Sequence, residues 1–110
     1  MISVVNKHHG YSANGLDKIY IGRGSALGNP FTHMSGTKAE YMVATREAAV
    51  QAYETWLRSQ IAADNRQICD ALEIIGQREL QGLETSLICF CAPRSCHGDV
   101  IKKIIEEHLK

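Results

Sequence analysis

The fold is decided by the stretch Leu87-Ile88-Cys89-Phe90-Cys91-Ala92-Pro93-Arg94-Ser95-Cys96-His97-Gly98-Asp99. Its first four residues are apolar on both faces, which is typical of a central strand that is covered on both sides. Residues 100–109 then carry apolar side chains at helical spacing, so they predict an amphipathic helix. This order of elements, a strand followed by a polar loop with glycine and then a helix, is typical of an α/β ligand site. The loop in such a site lies at the carboxyl end of the strand.

Length and composition set the outer limits of the protein. The 110 residues are 45% hydrophobic and 22% charged, so residues 1–110 are predicted to form a single α/β domain. Twelve basic residues balance twelve acidic ones, which argues against nucleic acid as a partner. The N-terminus does not resemble a secretory signal, and no apolar run approaches the roughly 20 residues that span a bilayer. We therefore expect a cytoplasmic protein without a membrane partner, in which cysteines are thiols or metal ligands.

Two further strands are predicted near the N-terminus. Ile2, Val4 and Val5 favour the first, and Ile19-Tyr20-Ile21 favours the second. The turn signal Asn14-Gly15 between them predicts a hairpin. In that case the first strand is antiparallel to the second, and His8 and His9 lie at the end of the sheet away from the site.

Three helices are predicted along the chain. Thr37 and Glu40 have capping-box spacing, so the first helix is expected to begin there and to carry an apolar face that includes Tyr41, Tyr53 and Trp56. Asp64 or Asn65 caps a second helix, which Gly82 ends. The third helix follows the cysteine-rich loop.

The long helical connection between the second and the third strand favours a parallel pair. The predicted fold is therefore a small Rossmann-like α/β fold, with a sheet of about three or four strands, at least partly parallel, covered by about three helices. The carboxyl ends of parallel strands meet, so the loop 22–31 and the loop 91–99 are expected to line one crevice.

Several motifs resemble those of a known family. They are Val4-Val5-Asn6, Tyr20-Ile21-Gly22-Arg23, Gly28-Asn29-Pro30-Phe31, Arg46-Glu47-Ala48 with Tyr53 and Trp56-Leu57, and Cys89-x-Cys91-x-Pro93-x-x-Cys96-His97-Gly98-Asp99. Together they resemble the domain-of-unknown-function family numbered 4326, small proteins of phages and bacteria. The resemblance implies a single domain and a phage or bacterial setting, with the host cytoplasm as the location if a phage encodes the protein. It implies no reaction.

The glycine-rich loop is the first candidate ligand site. Its pattern Gly22-x-Gly24-x-x-x-Gly28 has one residue more than a dinucleotide fingerprint, and Asn29-Pro30 follows where a helix should begin. The loop can still bind an anion, since Arg23 offers a forked donor set. Alternatively, Arg23 and Asn29 only tie the loop to itself. The ligand-binding candidates are Asn6, Gly22, Arg23, Gly24, Ser25, Gly28, Asn29, Arg46 and Gly98.

The cysteine-rich loop is the second candidate. Cys96 precedes the last helix, where the helix dipole favours a thiolate, so Cys96, His97 and Asp99 are the catalytic candidates. His97 is the sequence neighbour of Cys96 and need not point back at it, and Asp99 can simply cap the helix. Cys89, Cys91, Cys96 and His97 include enough ligands for zinc, but their spacing departs from the usual paired knuckles. We expect no cofactor and keep zinc as an alternative.

These observations lead to a functional expectation. The crevice is expected to bind a nucleotide, a nucleoside or a related phosphorylated metabolite, and any reaction is expected to be hydrolysis or transfer. One alternative is sequestration of a nucleotide signal without chemistry, as in phage counter-defence. Another is a zinc-stabilised module that binds protein or nucleic acid. A homodimer would cover the edges of so small a sheet.

Overall fold

The computed structural model describes residues 1–6, 17–22, 24–32, 41–89 and 96–109. Within them the strands are β1 (Ile2–Asn6), β2 (Lys18–Tyr20), β3 (Phe31–Thr32), β4 (Tyr41–Met42) and β5 (Thr85–Cys89). The helices are α1 (Arg46–Ala62), α2 (Arg66–Leu80) and α3 (His97–His108). The prediction of a small α/β fold with a partly parallel sheet and about three helices is confirmed.

The main sheet is parallel and has the order β1-β5-β2. Val4 lies beside Leu87 in the register, and Ile19 lies beside Leu87 on the other side. The central strand is buried on both faces: Leu87 belongs to the core cluster on the helical side, and Ile88, which points to the opposite face, has no exposed surface. The prediction of a covered central strand is confirmed, because an apolar strand is most stable where neighbours shield both of its faces.

The predicted hairpin between the first two strands is wrong. β1 and β2 both run parallel to β5 and lie on opposite sides of it, so they do not pair with each other. The turn signal Asn14-Gly15 lies outside the described residues. The physical reason is that a turn signal is local, whereas the apolar β5 needs a neighbouring strand on each side.

The start of α1 was also predicted wrongly. Tyr41 lies in β4, which pairs with β3, so the helix cannot begin at the Thr37 and Glu40 signal. It begins after Thr45, whose side chain accepts a hydrogen bond from the Ala48 N–H at 3.0 Å. The residues that α1 buries are Ala49, Tyr53 and Leu57.

The two ends of α2 agree with the sequence signals. Asn65 is its N-cap and accepts from the Ile68 N–H. Gly82 has a φ of +73°, and the Leu83 N–H donates to the Arg78 carbonyl, which is the Schellman pattern that closes a helix.

The three helices contact one another, and α2 and α3 lie against β5, so they form a layer on one face of the sheet. α3 contributes Val100, Ile101, Ile104 and Ile105 to the core. On the surface, Glu54 of α1 forms salt bridges with Arg58 of the same helix and with Lys103 of α3. None of the described helices is both long enough and apolar enough to span a membrane.

Candidate functional site

The carboxyl edge of the sheet brings three strand ends together. β1 ends at Asn6, which lies beside Cys89 at the end of β5, and β2 ends at Tyr20 on the other side. Because β1 is parallel and not antiparallel, Asn6 lies at the same edge as the glycine-rich loop. His8 and His9, which follow β1, lie outside the described residues. The expectation that the loops after β2 and β5 begin at one edge is therefore met, and β1 is added to that edge.

The loop that follows β2 is built from two consecutive turns. The Gly22 carbonyl accepts from the Ser25 N–H at 3.1 Å and from the Ser25 hydroxyl at 2.6 Å. The Gly28 N–H in turn donates to the Ser25 carbonyl at 3.1 Å. Gly24 is exposed and has a φ of +93°, a conformation that favours glycine. Ser25 therefore shapes the loop, and Arg23, between Gly22 and Gly24, lies outside the described residues.

Asn29 attaches the loop to α1. Its side-chain oxygen accepts from the Phe31 N–H at 2.8 Å, and its side-chain nitrogen donates to the Ala49 carbonyl at 3.4 Å. The amide is thus used for the shape of the loop, which was the alternative reading of Asn29. The contact also brings the first turn of α1 beside the loop, and Arg46 is the half-buried first residue of that helix.

Tyr53 of α1 also binds the loop that follows β2. Its hydroxyl donates to the carbonyl of the buried Leu27 at 2.7 Å. Burial raises the pKa of Tyr53 well above its usual range, and the charge of a Cys96 thiolate acts in the same direction. Sequence reasoning assigned Tyr53 to the core and missed this contact. The available signal was its hydroxyl, because a buried tyrosine needs a hydrogen-bond partner.

The first turn of α3 closes on itself. Cys96 is the N-cap, and its sulfur accepts from the Gly98 N–H at 3.4 Å. The Cys96 N–H donates to the Asp99 carboxylate at 3.1 Å, and the Asp99 N–H donates to the Cys96 carbonyl at 3.0 Å. The carboxylate of Asp99 therefore caps the helix, which was the alternative to a catalytic role for this residue. The N–H groups of Gly98 and Asp99 are both used inside the helix.

At Gly98 the backbone of α3 lies close to the side chains of the sheet. A Cβ at this position would lie 2.8 Å from Cγ1 of Val4 and 3.0 Å from Cδ1 of Ile21. Both distances are shorter than ordinary van der Waals contact, so glycine is required for this packing. Gly22 is restricted in a similar way, because a Cβ at that position would collide with the ring of Tyr20.

His97 joins α3 to β2 and α1. Its Nε2 lies 2.5 Å from the carbonyl oxygen of Ile21, and its Nδ1 lies 3.4 Å from the sulfur of Cys96. The edge of the imidazole meets the ring of Tyr53, with 5.0 Å between the centroids and 74° between the planes. His97 thus points back at its neighbour Cys96, which sequence spacing left open. A thiol and an imidazole in hydrogen-bond contact can exchange a proton.

The described part of the chain contains no group of three or more His, Cys, Asp or Glu side chains arranged to hold a metal ion. Cys91, one of the four zinc candidates, lies outside the described residues. The sulfur of Cys89 lies 3.5 Å from the Val5 carbonyl oxygen, and Cys69 on α2 is a free thiol.

Comparison with known proteins identifies the family. The family profile described as Domain of unknown function (DUF4326) matches residues 4–107. The chain belongs to this family. The match covers the whole described sheet except the start of β1, and it includes α1, α2 and nearly all of α3. The DUF4326 resemblance that the motifs indicated is therefore confirmed. No curated protein and no solved structure matches the chain significantly.

Proposed function

We propose that this DUF4326 protein binds a nucleotide, a nucleoside or a related phosphorylated metabolite between the loop 22–31 and the segment 91–99. The observation that carries the proposal is the common edge at which β1, β5 and β2 all end. In open parallel α/β sheets, such as Rossmann-like folds, ligands bind in the crevice outside the carboxyl ends of the strands. The turn-rich loop after β2 begins at this edge, and so does α3.

The internal hydrogen bonds identify the residues that shape the site. Asn29 folds the loop after β2, and Gly98 and Asp99 form the first turn of α3, so we assign these three to the shape of the site. We assign recognition of an anionic group to Arg23, since its neighbour Gly24 is exposed and leaves the backbone open to close approach.

Two further groups at the edge suit a nucleoside. Asn6, at the end of β1, carries both a donor and an acceptor. The ring of Tyr20 lies over Gly22 at the start of the loop and is half-buried, and an aromatic face of this kind can stack on a base. The free thiol of Cys69 fits a reducing compartment, so we propose a cytoplasmic setting for this function.

The proposal is tested by a thermal-shift screen with nucleotides, nucleosides and sugar phosphates, followed by calorimetry of each compound that stabilises the protein. A ligand at ten times its Kd stabilises the folded state by about 1.4 kcal/mol. We expect Arg23→Ala to weaken binding about ten- to a hundredfold, because it removes a charge-assisted hydrogen bond. Arg66→Ala is the matched control, since Arg66 is an exposed first residue of α2 that pairs with Asp64.

Equal affinity of the Arg23→Ala and Arg66→Ala proteins would contradict the assignment of Arg23. If no compound stabilises the wild-type protein, the ligand class is wrong. Mass spectrometry of the ligand after incubation separates two versions of the proposal. Unchanged ligand indicates sequestration, and a product that has lost its base or its phosphate indicates transfer or hydrolysis.

A further inference from the structure

The protonation of His97 follows from its partners. Nε2 lies 2.5 Å from the Ile21 carbonyl oxygen, and a carbonyl oxygen can only accept. Nε2 must therefore carry a proton. In the neutral ring Nδ1 then has the lone pair, and Nδ1 is the atom that faces the sulfur of Cys96 at 3.4 Å. The thiol of Cys96 consequently has a base as its neighbour.

Two further features favour a thiolate at Cys96. The residue is the N-cap of α3, at the positive end of the helix dipole, and its sulfur accepts a hydrogen bond from the Gly98 N–H. Cys96 is only 2% exposed, and burial disfavours an isolated charge. A thiolate beside an imidazolium is a neutral pair, however, so the cost of burying it is much smaller than that of burying a lone thiolate.

The ring of His97 is held as a catalytic base is usually held. The Ile21 carbonyl accepts from Nε2 on the side away from the sulfur, which is the position of the third group in a nucleophile–base–acceptor arrangement. Tyr53 of α1 contacts the ring edge-on. The other described titratable groups nearby are Asp99, which binds the Cys96 N–H, and Cys89, which belongs to the same core cluster.

From this geometry we propose that Cys96 and His97 form a nucleophile–base pair that acts on the bound ligand. The identity of the ligand rests on the proposed function. The Cys96 thiol gives its proton to Nδ1, and the sulfur then bonds to phosphorus or to the anomeric carbon of the ligand. The bond from that atom to the leaving group breaks, and the leaving group takes the proton from Nδ1. Water next cleaves the bond to sulfur, adding its hydroxyl to the ligand and its remaining proton to the thiolate.

The pair can be tested in the free protein, through the ultraviolet absorbance of the thiolate. The difference between wild type and Cys96→Ser isolates the Cys96 signal, and serine keeps the N-cap. We expect most of Cys96 to be thiolate at pH 7, and we expect His97→Gln to lower that thiolate fraction about tenfold or more, because glutamine can still donate to Ile21 but is not a base. The control Cys69→Ser removes a thiol on α2 and should leave the Cys96 signal unchanged.

A Cys96 signal that appears only at or above the usual thiol pKa of about 8.5 would overturn the proposal. An unchanged thiolate signal of Cys96 in His97→Gln would overturn it as well.

Nitrogen-15 NMR of wild-type His97 gives a test that needs no variant. A proton on Nδ1 alone contradicts the pair, whereas a proton on Nε2 supports it. Calorimetry of Cys96→Ser keeps the two proposals apart, since this variant should bind the ligand of the wild-type protein without converting it. Loss of binding in Arg23→Ala concerns only the proposed function.

Discussion

Two glycines inside helices show how differently the two sides of this protein are packed. At Gly98, in the first turn of α3, a Cβ would lie 2.8 Å from Val4. At Gly76, in the middle of α2, a Cβ would meet nothing within 4 Å. Gly76 borders a groove of about 430 Å³ between α2 and α3, which Leu72, Leu80 and Ile105 also line. Near the carboxyl edge the backbone of α3 thus packs directly on side chains of the sheet, whereas the α2 side keeps open space.

Glycine therefore has opposite roles at these two positions. Gly98 is required by its neighbours, and its helical cost is offset by the approach of α3 to the sheet. Gly76 has no neighbour that requires it in the described residues. The tight region also contains the hydrogen bonds of His97 and Tyr53. A change in that region should therefore affect the candidate site and the stability together.

The largest effect is expected for Gly98→Ala, which should destabilise the protein by about 2 kcal/mol, because a Cβ forces Val4 and α3 apart. Urea unfolding measures the change. The double variant with Val4→Ala should be less destabilised than the sum of the two single variants, since it removes the methyl groups that clash. Strict additivity would contradict the close contact.

Tyr53→Phe should cost about 1–2 kcal/mol, because it leaves the buried Leu27 carbonyl without its donor. The folded pKa of Tyr53 lies above its ordinary value of 10.0, so the folded state prefers the neutral phenol. This contribution to stability is complete below pH 10 and is lost as the pH rises above it. Stability curves of both proteins between neutral and alkaline pH should show a steeper loss for wild type. Parallel curves would mean that the Tyr53 hydroxyl is not buried in solution.

Gly76→Ala should stabilise the protein by up to about 1 kcal/mol, because it removes the helical cost of glycine and meets no neighbour. The matched control is Gly82→Ala at the end of the same helix. Gly82 has a φ of +73°, so alanine should be destabilising there. Thermal unfolding of both variants checks the opposite signs. A loss of stability in Gly76→Ala would show that the groove side is as tightly packed as the first turn of α3.

The smallest effect is expected on the surface between α1 and α3. Hydrogen bonds from Arg58 and Lys103 lower the pKa of Glu54 below its usual 4.5. Glu54→Gln should cost about 0.5 kcal/mol at pH 7, as is typical of partly exposed ion pairs. A group with a lowered pKa contributes stability above its unfolded pKa and loses it as the pH falls. The difference between the two proteins should accordingly shrink towards pH 3, and a pH-independent difference would contradict this assignment.

Much of the fold was predictable because its signals are local. The apolar run around Leu87 indicated the central strand, and the stripe from Val100 to Leu109 predicted α3. The start of α2 was predicted at Asp64 or Asn65 and its end at Gly82, and the structure has Asn65 as the N-cap. The start of α1 was missed because the Thr37 signal is a valid capping pattern and competes with Thr45, and only the pairing of β3 with β4 excludes Tyr41 from the helix.

The candidate site was predictable in position and less so in the roles of its residues. The edge was expected from the strand–loop–helix order, and Cys96 was expected at the start of α3. Two contacts were not predictable: Asn29 binds Ala49, and Tyr53 binds Leu27. The residues of each pair are more than 19 positions apart. Spacing along the chain carries no information on such contacts.

The amino-acid sequence was enough to indicate the family, the α/β class, the central strand, the extent of α2 and the start of α3 near Cys96, because hydrophobic periodicity and end signals act over a few residues. The direction of β1 depends on packing, because β1 is the second neighbour of β5 in the sheet. The position of His97 between the sulfur of Cys96 and the Ile21 carbonyl also depends on packing. The orientation of that ring depends on a residue 76 positions earlier, and only the packing of α3 on the sheet brings the two together.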